Sequence, residues 1–371
     1  MKILIVQDRL RSGGTERQSL LLAHGFQAAG HPTRLLTFRP GGTLAPSAAD
    51  LDHHALQSRD WGLDWWAPGL VRAARAFAPD IVLTMGRMAN SRGAQLQAAL
   101  SSTAVIATMR TGKPLPAAFR RSLAHVTHIV ANSEGAAGRL RRENAVPPER
   151  ISVIHNSLVF PPDHTPTDSD RISRIATTAD LRAQQGATPD TTVLLCVAMF
   201  RPEKNQRALI PIVAALPRDT RWQLWFGGTG ATVDDCVALA AKNGLTERVK
   251  FLGFHTDPTP LYRAADIAVL TSTRESLSNF LIESQAHGLP AVAYDAQGVG
   301  EAFLPGESGH LIPMDDEAAF TAALAHLISN PAARQRLGQA ASDYARTHFA
   351  PAGQIQAYLD LFQRLRQPPR P

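Results

Sequence analysis

Short apolar runs recur along this chain, each followed by a longer stretch of helical spacing, and the alternation is interrupted once. The first series is residues 2–6, 31–38, 81–84, 105–108, 129–132 and 151–155; a helix is expected over 15–29, where Leu20, Leu21, Leu22 and Phe26 are apolar. The second series is residues 192–198, 223–226, 249–252, 267–270, 291–294 and 310–312. Strands separated by helices require crossover connections, so each series predicts a parallel sheet covered by helices. Between them, residues 161–170 read Pro-Pro-Asp-His-Thr-Pro-Thr-Asp-Ser-Asp, a polar, proline-rich composition that suits a linker. The expected organisation is therefore α/β: two Rossmann-like α/β/α domains at 1–160 and 177–350, a linker at 161–176, and a helical tail ending in 351–371.

With 371 residues and 44% hydrophobic content, the chain can fill two cores. Two cysteines, Cys196 and Cys236, argue against a disulfide framework and for a reducing compartment. The opening MKILIVQDRL holds only a four-residue apolar run, which reads as a first strand and not as a secretory signal. No stretch reaches the roughly 20 apolar residues that span a bilayer. A cytoplasmic protein is expected, soluble or peripheral on the inner face of a membrane.

Charge is uneven. Residues 1–160 hold 19 Lys and Arg against 10 Asp and Glu, and the remainder holds 19 against 22. A basic first half suits an acidic partner, either an anionic membrane surface or a phosphorylated acceptor. Nucleic acid is not expected, since zinc-finger spacing, an aromatic RNA-binding signature and a clustered basic run are all missing. The thirteen histidines are scattered, and Asp168-Ser-Asp170 falls in the linker, where it reads as solvated. Neither a metal nor a cofactor is expected.

The best functional clue is a pair of carboxylates. Glu275 lies in a polar loop after the strand 267–270, and Glu283 lies eight positions on, in a short helix before the strand 291–294. Both should therefore stand near the carboxyl edge of a parallel sheet, where helix N-termini offer unpaired N–H groups to ligands. A carboxylate can accept hydrogen bonds from two adjacent hydroxyls, so acids beside such donors suit a ligand carrying both hydroxyls and phosphate.

This arrangement, with Ser-Asn-Phe-Leu-Ile-Glu at 278–283 and Gly-Leu-Pro at 288–290, resembles the signature of the family 4, retaining, GT-B-fold glycosyltransferases. The resemblance implies two Rossmann-like domains facing a cleft, the second binding a nucleotide-sugar and the first an acceptor, with the last helix crossing back onto the first domain. By that likeness Glu275 contacts the hydroxyls of the sugar being transferred and Glu283 the ribose of the nucleotide. Lys204, in Arg-Pro-Glu-Lys at 201–204, matches a lysine that binds the pyrophosphate. The arginine usual five residues before it is Met199 here, and Arg201 is a substitute two positions on. Ser276 stands where glycine is common, and with Leu277, Ser278 and Asn279 it makes up the loop and helix start expected at the sugar or phosphate.

In the first half, Arg-Ser-Gly-Gly-Thr-Glu-Arg at 11–17 resembles the family's Gly-Gly turn, and Gly13 and Gly14 would let the backbone approach an anion. Arg110 falls about where many members carry a histidine. Arg87, Asn90 and Lys113 follow strands at the same edge and are acceptor-side candidates. Glu301, in Gly-Val-Gly-Glu at 298–301, is a secondary candidate for the nucleotide-sugar. His155-Asn156-Ser157 resembles an Asn-Gly turn and suits a structural role, as does Gly228-Thr-Gly230, which lacks the third glycine of a dinucleotide fingerprint.

The implied activity is glycosyl transfer from a nucleotide-sugar to an acceptor hydroxyl with retention of configuration, the departing phosphate taking the acceptor's proton. The implied acceptor is an envelope glycan: lipid-linked saccharide, lipopolysaccharide or exopolysaccharide. Two rival readings remain open, a nucleotide-sugar 2-epimerase of the same fold and a non-catalytic nucleotide- or glycan-binding protein.

Overall fold

The computed structural model describes residues 1–158 and 178–366; the linker 161–176, including Asp168 and Asp170, lies outside the described residues. These residues fall into two compact units, 1–158 with 350–366, and 178–349.

In the first unit β1 (Ile3–Gln7), β2 (Thr33–Thr37), β3 (Asp52–Ala55), β4 (Ile81–Thr84), β5 (Ala104–Met109), β6 (His128–Ala131) and β7 (Ile151–Val153) form a parallel sheet in the order β3-β2-β1-β4-β5-β6-β7. Helices on both faces bury β1 along its whole length. Its side chains alternate between two cores: Ile3 and Ile5 join Leu22 and Phe26, while Leu4 and Val6 join Phe119 and Leu123. The edge strand β3 is not among the expected strands. Its Asp-His-His-Ala sequence carries no apolar run, because alternate residues of this edge face solvent.

The C-terminal helix Pro351–Arg366 closes the Ile3 side. Tyr358 and Phe362 pack on Phe26 of the helix Gly14–Ala28, with ring centroids 6.1 and 5.5 Å apart. Gln354 donates to Gln18 (3.0 Å) and to the His155 carbonyl (2.7 Å), and accepts from the Ser157 hydroxyl (2.7 Å). A buried polar group needs such partners, so the helix is fixed in register as well as packed.

In the second unit β8 (Thr192–Val197), β9 (Trp222–Gly227), β10 (Val249–Gly253), β11 (Ile267–Leu270), β12 (Ala291–Tyr294) and β13 (Gly309–Ile312) form another parallel sheet, in the order β10-β9-β8-β11-β12-β13. Both cysteines are free and buried; burial pushes the Cys196 thiol up to about 12 and that of Cys236 to about 11, which makes them inert packing groups. No helix among the described residues is long and apolar enough to cross a bilayer.

The order of strands reverses between β1 and β4 in one sheet and between β8 and β11 in the other. In an open parallel sheet the loops leaving such a pair of strands diverge to opposite faces, and the crevice between them is the favoured ligand site.

Candidate active site

In the second unit the reversal point brings the loop after β8 against the loop after β11. The Thr273 N–H donates to the Glu203 carbonyl (3.0 Å), and the Thr271 hydroxyl donates to the Asn205 carbonyl (2.8 Å). Asn205 turns the chain with φ of 48°, ending the short 3-10 turn Pro202–Lys204. Lys204 is thereby aimed at Glu275, with Nζ 2.5 Å from Oε1. The Ser272 hydroxyl donates to the same oxygen at 2.8 Å. Glu275 is 7% exposed, and these two partners supply the hydrogen bonds that a buried carboxylate needs. Its other oxygen accepts no hydrogen bond among the described residues, which leaves an acceptor for a ligand hydroxyl. Arg201, half-buried three residues before Lys204, accepts from the Lys204 N–H through its carbonyl (2.9 Å), and its guanidinium makes no hydrogen bond or ion pair among the described residues. Met199 is 53% exposed and supplies no charge.

The loop that follows is held from behind. The Glu275 N–H donates to the Gln297 carbonyl (3.1 Å), and Gly298 has φ of +76° with Cβ space closed by the Ser276 carbonyl at 2.3 Å. Only glycine combines that backbone conformation with so close an approach. Ser276, Leu277 and Ser278 are buried, and the Ser278 hydroxyl caps the helix Asn279–Ala286 by accepting from the Leu281 N–H (3.4 Å). Glu283 lies on this helix and accepts from the Tyr262 hydroxyl at 2.5 Å. Tyr262 is itself stacked on His287 with centroids 5.0 Å apart. Glu301, half-buried after β12, lies near Tyr344, whose phenol is raised by burial and by this acid.

Gly228 and Gly230 have a structural role. A Cβ at these positions would fall 2.1 Å from the Ala198 carbonyl oxygen and 2.2 Å from that of Phe200, so the turn after β9 rests directly on the backbone leaving β8.

In the first unit the reversal point shows a residue that sequence reasoning missed. Asp8, just beyond β1, accepts from the Ala89 N–H (2.6 Å) and the Met88 N–H (3.1 Å), fixing the turn that carries Arg87. Burial pushes its carboxyl up to about 6, against the pull of those two N–H groups. A lone acid after a strand has no spacing signal; its place at the end of the first strand was the available clue. Arg87 is exposed and donates to the Pro114 carbonyl (3.2 Å), so it shares this edge with exposed Lys113.

Asn90, expected on the acceptor side, is placed facing inward. It is 1% exposed, and its amide joins β4 to β5 by accepting from the Thr84 hydroxyl and the Thr108 N–H (both 2.8 Å) and donating to the Gly86 and Thr108 carbonyls (2.9 and 3.1 Å). Arg110 also has structural partners: its guanidinium donates to Asn156 and, at 2.7 Å, to the hydroxyl of fully buried Tyr358. It ties the end of β5 to the C-terminal helix. Gly13 is the N-cap of the helix Gly14–Ala28, where the Glu16 carboxylate folds over it, 2.4 Å from where a Cβ would be. The helix terminus thus has an internal anion close at hand. Among the described residues no group of three or more His, Cys, Asp or Glu side chains converges as a metal site.

Comparison with known proteins agrees with this geometry. Residues 177–344 match the family model "Glycosyl transferases group 1", and residues 12–158 match "Glycosyltransferase Family 4". The lipopolysaccharide core biosynthesis glycosyltransferase LpsE of Rhizobium meliloti is 30% identical over 180 residues, 48% of this chain and 52% of that protein. A D-inositol 3-phosphate glycosyltransferase of Mycolicibacterium vanbaalenii is 28% identical over 337 residues, 85% of this chain and 68% of its own length. With the first of these, as with several other relatives, the match spans about half the relative's length. Among solved structures, Anabaena HepE in complex with UDP and glucose superposes with a TM-score of 0.81 at 19% identity, covering 98% of this chain and 100% of that one, a likeness of fold. The two parallel-sheet units and the matches to both halves show that the chain belongs to the group 1, family 4 glycosyltransferases of GT-B fold.

Proposed function

We propose that this chain transfers a sugar from a nucleotide-sugar to an acceptor hydroxyl with retention of configuration, in the synthesis of an envelope glycan. The observation that carries the reading is the Lys204–Glu275 pair at the strand-order reversal of the second unit, with Arg201 at the start of the turn that carries Lys204. Lys204 has three N–H donors and gives one to Glu275, so it can still meet an anion. With Arg201 it would offset the charge that develops on a departing diphosphate, and such charge stabilisation commonly supplies most of the rate enhancement in reactions of this kind. The free oxygen of Glu275 suits a sugar hydroxyl, and Glu283, oriented by Tyr262, suits the paired hydroxyls of a ribose. HepE, whose structures are described with UDP, with UDP and glucose, and with UDP-glucose, supports a uridine nucleotide-sugar as the first substrate to try. LpsE supports an envelope acceptor. Arg87 and Lys113 in the first unit are the cations we assign to the acceptor side, and the basic first half supports work at the inner membrane surface.

The test is product analysis with UDP-glucose and related nucleotide-sugars against lipid-linked and core saccharides. Nucleoside diphosphate released only when acceptor is present, with a product that keeps the sugar's anomeric configuration by NMR, is the expected result. Acceptor-independent conversion of the nucleotide-sugar would favour an epimerase, and inverted product would overturn retention.

A further inference from the structure

The first unit displays an aromatic patch that no part of the sugar-transfer chemistry uses. Between β3 and the helix Leu70–Phe77 the chain reads Trp61-Gly-Leu-Asp-Trp-Trp66, and its apolar side chains face outward: Trp61 56%, Leu63 37%, Trp65 55% and Trp66 36% exposed. Among the described residues the other large exposed apolar side chains, Met199, Val237 and Phe254, are scattered singly over the second unit. Isolated exposed apolar side chains are normal on any surface, whereas four within six residues call for an explanation.

The loop is built to hold its shape. Buried Gln57 donates to the carbonyls of Leu63 and Trp66, both at 2.7 Å, and Arg92 donates to that of Trp65 at 2.6 Å. Three carbonyls of the aromatic stretch are thus satisfied internally, which lowers the cost of moving it out of water. Asp60, just before the stretch, and Asp64 within it are both paired with arginines. Asp60 pairs with Arg9 (2.9 Å) and Arg39 (2.6 Å), and Asp64 pairs with Arg11 (2.6 Å) and Arg39 (2.5 Å). Arg59 and Arg72 flank the patch, both exposed, in the half of the chain that carries the basic excess.

We propose that the Trp61–Trp66 loop docks this protein on an anionic lipid bilayer, with the rings and Leu63 seated at the headgroup boundary and the surrounding arginines on the lipid phosphates. Tryptophan favours that boundary because one end of the indole is apolar and the other is a hydrogen-bond donor. Anionic headgroups complement the arginine collar, and two weak signals together hold a protein where either alone would not. This deepens the membrane-side part of the proposed function and rests on it. Arg11, which anchors Asp64, begins the turn that contains Gly13 and Gly14, so docking would occur beside the same sheet edge.

The test uses the whole protein, without sugar substrates, on phosphatidylcholine vesicles with and without phosphatidylglycerol. Trp222 and Trp225 are buried in the second unit, so a change in indole emission reports the exposed three. We expect co-sedimentation with the anionic vesicles, a blue shift, and quenching by brominated lipid. Trp61→Ser with Trp65→Ser should lower the partition coefficient by at least about tenfold, from the lost apolar area, and leave thermal unfolding unchanged. The residual binding should weaken with salt. No binding, or binding that the double variant retains in full, overturns the proposal. So does an emission shift caused by soluble saccharide and not by vesicles, which would make the patch a glycan platform. Because the readout is binding, its failure leaves the transfer assay to stand or fall separately.

Discussion

Replacing Lys204 by methionine keeps most of the side-chain volume and removes the cation that faces Glu275. The carboxylate it abandons is 9% exposed on its side chain and retains one partner, the Ser272 hydroxyl. Breaking a fully buried ion pair from one side costs about 3–5 kcal/mol. The Lys204 side chain is 25% exposed, so water can partly replace it, and about 2 kcal/mol is the expected loss of stability. Glu275→Gln removes the orphaned charge, so the double variant should recover about 1–2 kcal/mol relative to the sum of the single changes. Turnover should behave differently. If Lys204 also stabilises the departing diphosphate, Lys204→Met lowers kcat by about 100- to 1,000-fold, and Glu275→Gln cannot restore it. Urea unfolding and initial-rate transfer, measured on all four members of the cycle, separate the two roles. A single variant that loses less than about 0.5 kcal/mol, or additive stabilities around the cycle, would refute the reasoning from the pair.

Three further outcomes follow from the geometry. Gly298→Ala places a methyl 2.3 Å from the Ser276 carbonyl oxygen at φ of +76°; about 1–3 kcal/mol of lost stability is expected, with weakened nucleotide-sugar binding, and unchanged affinity would detach this turn from the site. Tyr358→Phe leaves a guanidinium N–H of Arg110 without its acceptor; a loss of about 1.5–3 kcal/mol and earlier proteolysis of the C-terminal helix should result, whereas a neutral change would demote that tie. Asp8 gives a pH signature. Burial raises its carboxyl from 3.8 to about 6, so its stabilising contribution is full below about pH 4 and is lost as pH rises through 6, by about 3 kcal/mol. Asp8→Asn removes that dependence, and urea midpoints should show the variant gaining by this amount on its parent between pH 4 and 7; a constant gap between them would contradict the assignment.

The strands were legible because a parallel strand covered on both faces must be apolar throughout, as Ile267–Leu270 and Ala291–Tyr294 are. The edge strand Asp52–Ala55 has no such requirement and left no trace. The acids and Lys204 could be named from motif and strand-end position, but their contact could not, since 71 residues separate Lys204 from Glu275 and strand order alone makes β8 and β11 neighbours. Asn90 and Arg110 show the limit of reading position without direction. Both follow strands at the ligand edge, yet the Asn90 amide turns inward to join β4 and β5, and Arg110 finds Tyr358, 248 residues away. No local pattern encodes either partner.

The most direct test of the central claim is calorimetric titration of UDP, with other nucleoside diphosphates as comparators, into the parent protein, Glu283→Ala and Lys204→Met. Saturable binding of one nucleotide to the parent is the predicted result. Both variants should bind it at least about tenfold more weakly, the loss expected when a charged hydrogen-bonding partner is removed. Binding of equal strength in all three proteins, or none to the parent, would contradict the assignment of this site to a nucleotide-sugar.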